Sequence, residues 1–89
     1  MPLSDFVKSV TAVCPSEGVY MVMLKEERVD EFVKRLSKKG IVEFRIGNQM
    51  LRVKVGDNVI AFFAPNKLLI TLGGPESTVE ELLEKLLSD

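Results

Sequence analysis

Residues 42–72 read VEFRIGNQMLRVKVGDNVIAFFAPNKLLITL, and the pleat of this stretch decides the fold. Val42, Phe44 and Ile46 alternate with Glu43 and Arg45, and Leu51, Val53 and Val55 alternate with Arg52 and Lys54. Successive side chains of a strand point to opposite faces, so each run is apolar on one side and charged on the other. A two-residue turn at Gly47 and Asn48 joins them as a hairpin, pairing Phe44 with Leu51 and Val42 with Val53, and setting Glu43 opposite Arg52. A four-residue loop would oppose Arg45 to Arg52, so the charges favour the tighter turn.

Residues 59–64 and 67–72 are apolar on both faces and meet at a turn containing Pro65 and Asn66. A turn of even length at Asp57 and Asn58 carries the parity of the pleat onward and places Ile60 and Phe62 beside Val53. The opposite side then carries Val59, Ala61 and Phe63, with Leu68, Ile70 and Leu72 following, next to Arg45, Arg52 and Lys54. A three-residue turn would flip this assignment, but both faces of these strands are apolar, so an uncovered apolar patch is expected either way.

Outward from the strands lie two amphipathic helices. From Glu26 onward, Val29, Phe32, Val33 and Leu36 fall at helical spacing among charged residues, with acids at the start, Lys38 and Lys39 at the end, and Gly40 as a left-handed stop. In the tail, Pro75 marks the entry, Ser77 and Glu80 fit a capping box, and Val79, Leu82, Leu83, Leu86 and Leu87 form the stripe. Residues 19–24 are apolar throughout, as a central strand would be. Leu3, Phe6, Val7, Val10 and Val13 have helical spacing behind Ser4, although the β-branched run would also suit a strand; a short helix is the expectation.

Together these elements predict an α+β domain of two layers, an antiparallel sheet with both helices on one face. The order is β-α-β-β-β-β-α behind an N-terminal segment. With 89 residues the chain makes one domain, a core at 18–89 and an extension at 1–17.

Composition removes several functions. There is no histidine, so imidazole acid-base chemistry and histidine-held metals are absent. Cys14 is the single cysteine, without a histidine to activate it and without a disulfide partner, which suits a structural role in a reducing, cytoplasmic setting. No run approaches the roughly 20 apolar residues of a membrane span, and Asp5 without a basic opening does not resemble a secretory signal. Twelve basic residues against thirteen acidic ones give a net charge of −1, which lacks the basic excess usual in nucleic-acid binders. The charge is mostly Lys and Glu, a bias of heat-adapted proteins. Gly73, Gly74 and Pro75 precede a helix but lack the lysine of a phosphate loop, and Glu76, Glu80 and Glu81 repel anions; the segment reads as a turn. No catalytic constellation, cofactor site or metal site emerges.

Residues 62–74, FFAPNKLLITLGG, resemble a half-repeat of the TATA-binding protein: a strand ending in phenylalanine, a short turn, a lysine, and a strand ending in threonine and glycine before the last helix. Phe63, Lys67 and Thr71 match that pattern, whereas Asn66 replaces the turn glycine and Leu72 is inserted before Gly73. The resemblance implies a curved sheet whose helix-free face binds DNA in the minor groove, and one chain supplies half of such a saddle.

The helix-free face is thus where function is expected. It is to be covered by the protein's own N-terminal segment, by a second copy or another protein, or by nucleic acid. A protein interface would use Val59, Ala61, Phe63, Leu68 and Ile70. A nucleic-acid interface would use Arg45, Arg52, Lys54 and Lys67 near phosphates and Phe63 against bases.

Overall fold

The computed structural model describes residues 3–74 and 78–88. The strands are β1 (Val7–Cys14), β2 (Val19–Leu24), β3 (Ile41–Ile46), β4 (Met50–Val55), β5 (Asn58–Phe63) and β6 (Lys67–Thr71), and the helices are α1 (Val29–Lys39) and α2 (Val79–Leu87). All six strands form one antiparallel sheet in the order β1-β2-β6-β5-β4-β3. From β2 onward the element order is the β-α-β-β-β-β-α expected from the sequence.

The core lies between the sheet and the two helices. Val22, Leu24, Leu51, Val53, Val55, Ile60, Phe62, Leu68 and Ile70 come from the strands; Phe32 and Leu36 come from α1, and Leu82, Leu83 and Leu86 from α2. The apolar stripes of both helices face the sheet because only there can they leave water. The two helices are also fastened to each other at their ends. The Arg35 guanidinium donates to the Leu87 carbonyl at 2.8 Å and the Lys39 ammonium to the Ser88 carbonyl at 2.6 Å. These cations satisfy carbonyls at the end of α2, where the helix dipole is negative.

The N-terminal segment is a strand and not the short helix expected. A single 3-10 turn at Leu3–Asp5 leads into β1, which pairs along the outer side of β2. The β-branched Val7, Val10, Thr11 and Val13 decide the matter, since an available strand edge pairs their backbone at once. Phe6 at the entrance to β1 is fully buried in the common core, its carbonyl accepts from Lys25 N–H at 2.8 Å, and the Arg28 guanidinium sits 4.3 Å from its ring centre. The segment extends the sheet sideways and does not lie across it.

Two of the three hairpin turns differ from expectation in length, and the third is shifted by one residue. The β3–β4 connection has three residues, because Ile46 pairs with Met50, and a bulge between Val42 and Phe44 restores Val42 to Val53. Phe44 consequently faces Arg52 rather than Leu51, while Glu43, the extra residue, still brings its carboxylate to 3.4 Å from Arg52 Nε. The β4–β5 turn is two residues long, at Gly56 and Asp57, and keeps the even parity: Val53 pairs with Ile60 and Leu51 with Phe62. The β5–β6 connection takes three residues, Ala64 to Asn66, so Phe63 pairs with Lys67 and Phe62 with Leu68. This odd count reverses the faces of the last strand.

Two helix boundaries also change. Gly40 ends α1 in an extended conformation, φ −129° and ψ −175°, and not in the left-handed one. It is required by crowding, since a Cβ there would meet the Val53 side chain and stand 2.7 Å from the Lys54 carbonyl oxygen. At α2 the cap is Thr78, whose hydroxyl accepts from Glu81 N–H at 3.1 Å; the Ser77 of the anticipated capping box, like Pro75, lies outside the described residues.

Candidate interaction surface

Pairing across the sheet fixes which side chains share the face away from the helices. Val59, Ala61 and Phe63 of β5 stand beside Lys54, Arg52 and Met50 of β4 and beside Thr71, Leu69 and Lys67 of β6. Beyond β6, Met21 follows Leu69 and Met23 follows Lys67, and Val19 lies beside Thr71. At the far side, Phe44 continues from Arg52 and Ile46 from Met50. The result is a band of Val, Ala, Phe, Leu and Met side chains with three cations among them. Among the described residues, both α-helices pack on the other side and no segment crosses this band.

Of the interface residues expected from the sequence, Val59, Ala61 and Phe63 lie together on this face and are half-buried. Leu68 and Ile70 do not. Both are fully buried in the helix-side core, opposite Phe62 and Ile60. The odd-length connection at Ala64 to Asn66 turns β6 over, so Leu69 occupies the open face in their place.

Of the expected nucleic-acid contacts, Arg52, Lys54 and Lys67 are exposed on the open face around Phe63. Arg45 belongs elsewhere. It pairs with Leu51, which points into the core, and lines a groove with Val29, Asp30 and Val33 of α1. The bulge in β3 is the cause, because the extra residue shifts every later side chain of the strand to the opposite side.

Sequence reasoning missed Met21, Met23, Leu69, Phe44 and Ile46 as members of the face. For the two methionines a signal exists, since a strand apolar over residues 19–24 must send half its side chains away from the helices. For Phe44 and Ile46 none exists, because a one-residue bulge leaves no mark in the alternation.

The face carries little chemistry beyond burial and charge. The Glu43 carboxylate is engaged with Arg52 at 3.4 Å, both side chains being well exposed. Cys14, at the end of β1, has its Sγ 3.5 Å from a Glu17 carboxylate oxygen and 3.6 Å from the Ser16 hydroxyl. Gly73, in the turn considered for anions, donates its N–H to the Asn58 side chain at 2.9 Å. Among the described residues no cluster of acids and cysteine could hold a metal ion, and no helix is long and apolar enough to cross a membrane. Compared with protein families, with characterised proteins and with solved structures, the chain finds no match.

Proposed function

We infer that the protein is a small non-catalytic interaction module whose working surface is the helix-free face of the sheet, used to form a homodimer or to join a larger assembly. The observation that carries this reading is the apolar row Val59, Ala61 and Phe63, flanked by Met21, Met23 and Leu69. A contiguous apolar patch of this kind on a soluble domain ordinarily receives another molecule. Methionine suits such a surface because its unbranched, polarisable side chain adapts to a partner's shape. Sedimentation equilibrium of the intact chain and of Phe63→Asp tests it. Association that the substitution abolishes supports the reading; a monomer that recruits nothing ends it.

A second reading uses the same face for nucleic acid, favoured by the exposed Arg52, Lys54 and Lys67 around it and by the resemblance of residues 62–74 to a TATA-binding half-repeat. Phosphate contacts make affinity fall steeply with salt, whereas apolar association holds or strengthens. Titration of labelled duplex and single-stranded DNA at low and high ionic strength separates the two. No binding to either at low salt removes the nucleic-acid reading.

A further inference from the structure

The sheet has two free edges, β1 and β3, and they are built differently. A free edge is a row of unpaired backbone groups that natural proteins guard with charge, short length or irregularity. β3 is the better guarded: it has six residues, two of them the charged Glu43 and Arg45, and a bulge at Glu43. Pairing β3 with itself about the midpoint of Glu43 and Phe44 would match the faces, but it sets Arg45 against Val42 and Glu43 against Phe44 of the second copy, a charged side chain against an apolar one at four of its six positions. β1 is longer, at eight residues, and exposed along Lys8 to Val13. From Ser9 to Cys14 it carries no charge at all, and Val10 and Val13 are half-exposed.

The irregularities of β1 are placed symmetrically. Ser9 and Thr11 share the open face with Met23 and Met21, while Val10 and Ala12 point to the helix side with Val22 and Tyr20. One bulge makes Lys8 an extra residue beside Ser9, and the other makes Val13 an extra residue beside Cys14. The pairs Lys8–Ser9 and Val13–Cys14 are therefore equidistant from Thr11.

We propose that β1 pairs antiparallel with β1 of a second copy about a two-fold axis at Thr11. Thr11 then faces Thr11, Val10 faces Ala12 on the helix side, and the two bulges lie opposite one another. Two residues meet two at each bulge, so the ladder stays in step. Centring on Val10 instead would set Lys8 and its bulge against the regular Ala12, and any odd shift would turn open-face residues against helix-face ones. The Thr11 register is also complementary in charge. It sets Lys8 against Cys14 of the second copy, beside the Glu17 carboxylate that lies 3.5 Å from that sulfur.

A two-fold axis through such a pair is perpendicular to the sheet. It keeps the helices of both copies on one side and joins the two open faces into one surface, six strands from each copy. The inference thus deepens the reading of the open face, but it stands on a different surface and fails separately.

The test is a crosslink. In a Cys14→Ser background, Thr11→Cys should join two copies through an oxidant, since residues opposed in a ladder sit within the roughly 4.4–6.8 Å span that a disulfide bridges. Ser9→Cys in the same background should not, its two copies being about 13 Å apart along the strands. Thr11→Lys should raise the dimer dissociation constant about tenfold or more by opposing like charges at the axis. Lys8→Glu should weaken association, and Lys8→Glu with Glu17→Lys should recover it. A monomeric intact chain, no Thr11→Cys crosslink, or dimerisation indifferent to Thr11→Lys would overturn the proposal. If Phe63→Asp alone dissociates the dimer while the Thr11 variants do nothing, the edge pairing falls and the face-borne reading stands.

Discussion

Asn66 and Leu24 hold each other twice: the Asn66 side-chain amide donates to the Leu24 carbonyl at 2.7 Å, and Leu24 N–H donates to the Asn66 carbonyl at 2.8 Å. A turn residue thereby closes the end of β2, and it is buried while doing so, at 6% exposure. Asn66→Ala keeps the backbone bond and deprives the Leu24 carbonyl of its side-chain partner. The expected loss is about 1–3 kcal/mol, the cost of an unsatisfied buried polar group, read from the midpoint of urea unfolding.

The reversal of β6 makes a sharp contrast between neighbours. Leu68→Ala and Ile70→Ala open cavities in the core and should each cost about 2–5 kcal/mol. Leu69→Ala, on the open face, should cost well under half as much in the monomer. Equal losses at all three positions in denaturant titrations would contradict the observed register.

Gly40 and Gly47 separate crowding from handedness. Gly47 has φ +47° with nothing within 4 Å of an added Cβ, so Gly47→Ala should cost only about 1–2 kcal/mol of left-handed strain. Gly40→Ala drives a methyl against the Lys54 carbonyl and the Val53 side chain, and backbone cannot give way as a flexible side chain can. The loss should be about 1–3 kcal/mol and accompanied by shifted amide resonances in β4, which Gly47→Ala leaves in place.

Phe6 ties the first strand to the body of the molecule. Phe6→Ala should lose about 3–5 kcal/mol by cavity formation, and hydrogen exchange should accelerate first in β1. Slow exchange persisting through β1 in this variant would mean that the strand is held by its ladder to β2 alone.

The helices and the parity of β5 were legible in the sequence because each has one apolar side. Val29, Phe32 and Leu36 admit a single helical face, and Ile60 and Phe62 follow from Val53 through any even turn. Residues 67–72 were not legible in the same way. Leu68, Leu69 and Ile70 are all apolar, so burial preference leaves the register open, and only the length of the connection at Ala64 to Asn66 decides it. The bulge at Glu43 escaped for a related reason: Val42, Phe44 and Ile46 look equally suited to the core, yet the strand is an edge with little helix above it, and all six of its residues remain exposed. In the first fifteen residues two periodicities coexist, and the neighbouring edge of β2, absent from local sequence, chooses between them. Which residues face away from the helices was legible along β5, but not along β6 or beyond the bulge of β3, where Arg45 turns to the helix side.

The ionised groups gather locally by sign, cations on the pleated side and acids along α2. Arg52, Lys54 and Lys67 project from the pleated side around Glu43, while Glu80, Glu81 and Glu84 line the exposed flank of α2 with Lys85, and Arg35 and Lys39 of α1 reach its far end. A chain almost neutral in total thus carries a basic patch on its strands and an acidic flank on α2, with the cations of α1 beside that flank. An anion would meet attraction over the strands and repulsion over α2 at short range, and added electrolyte shortens that reach further.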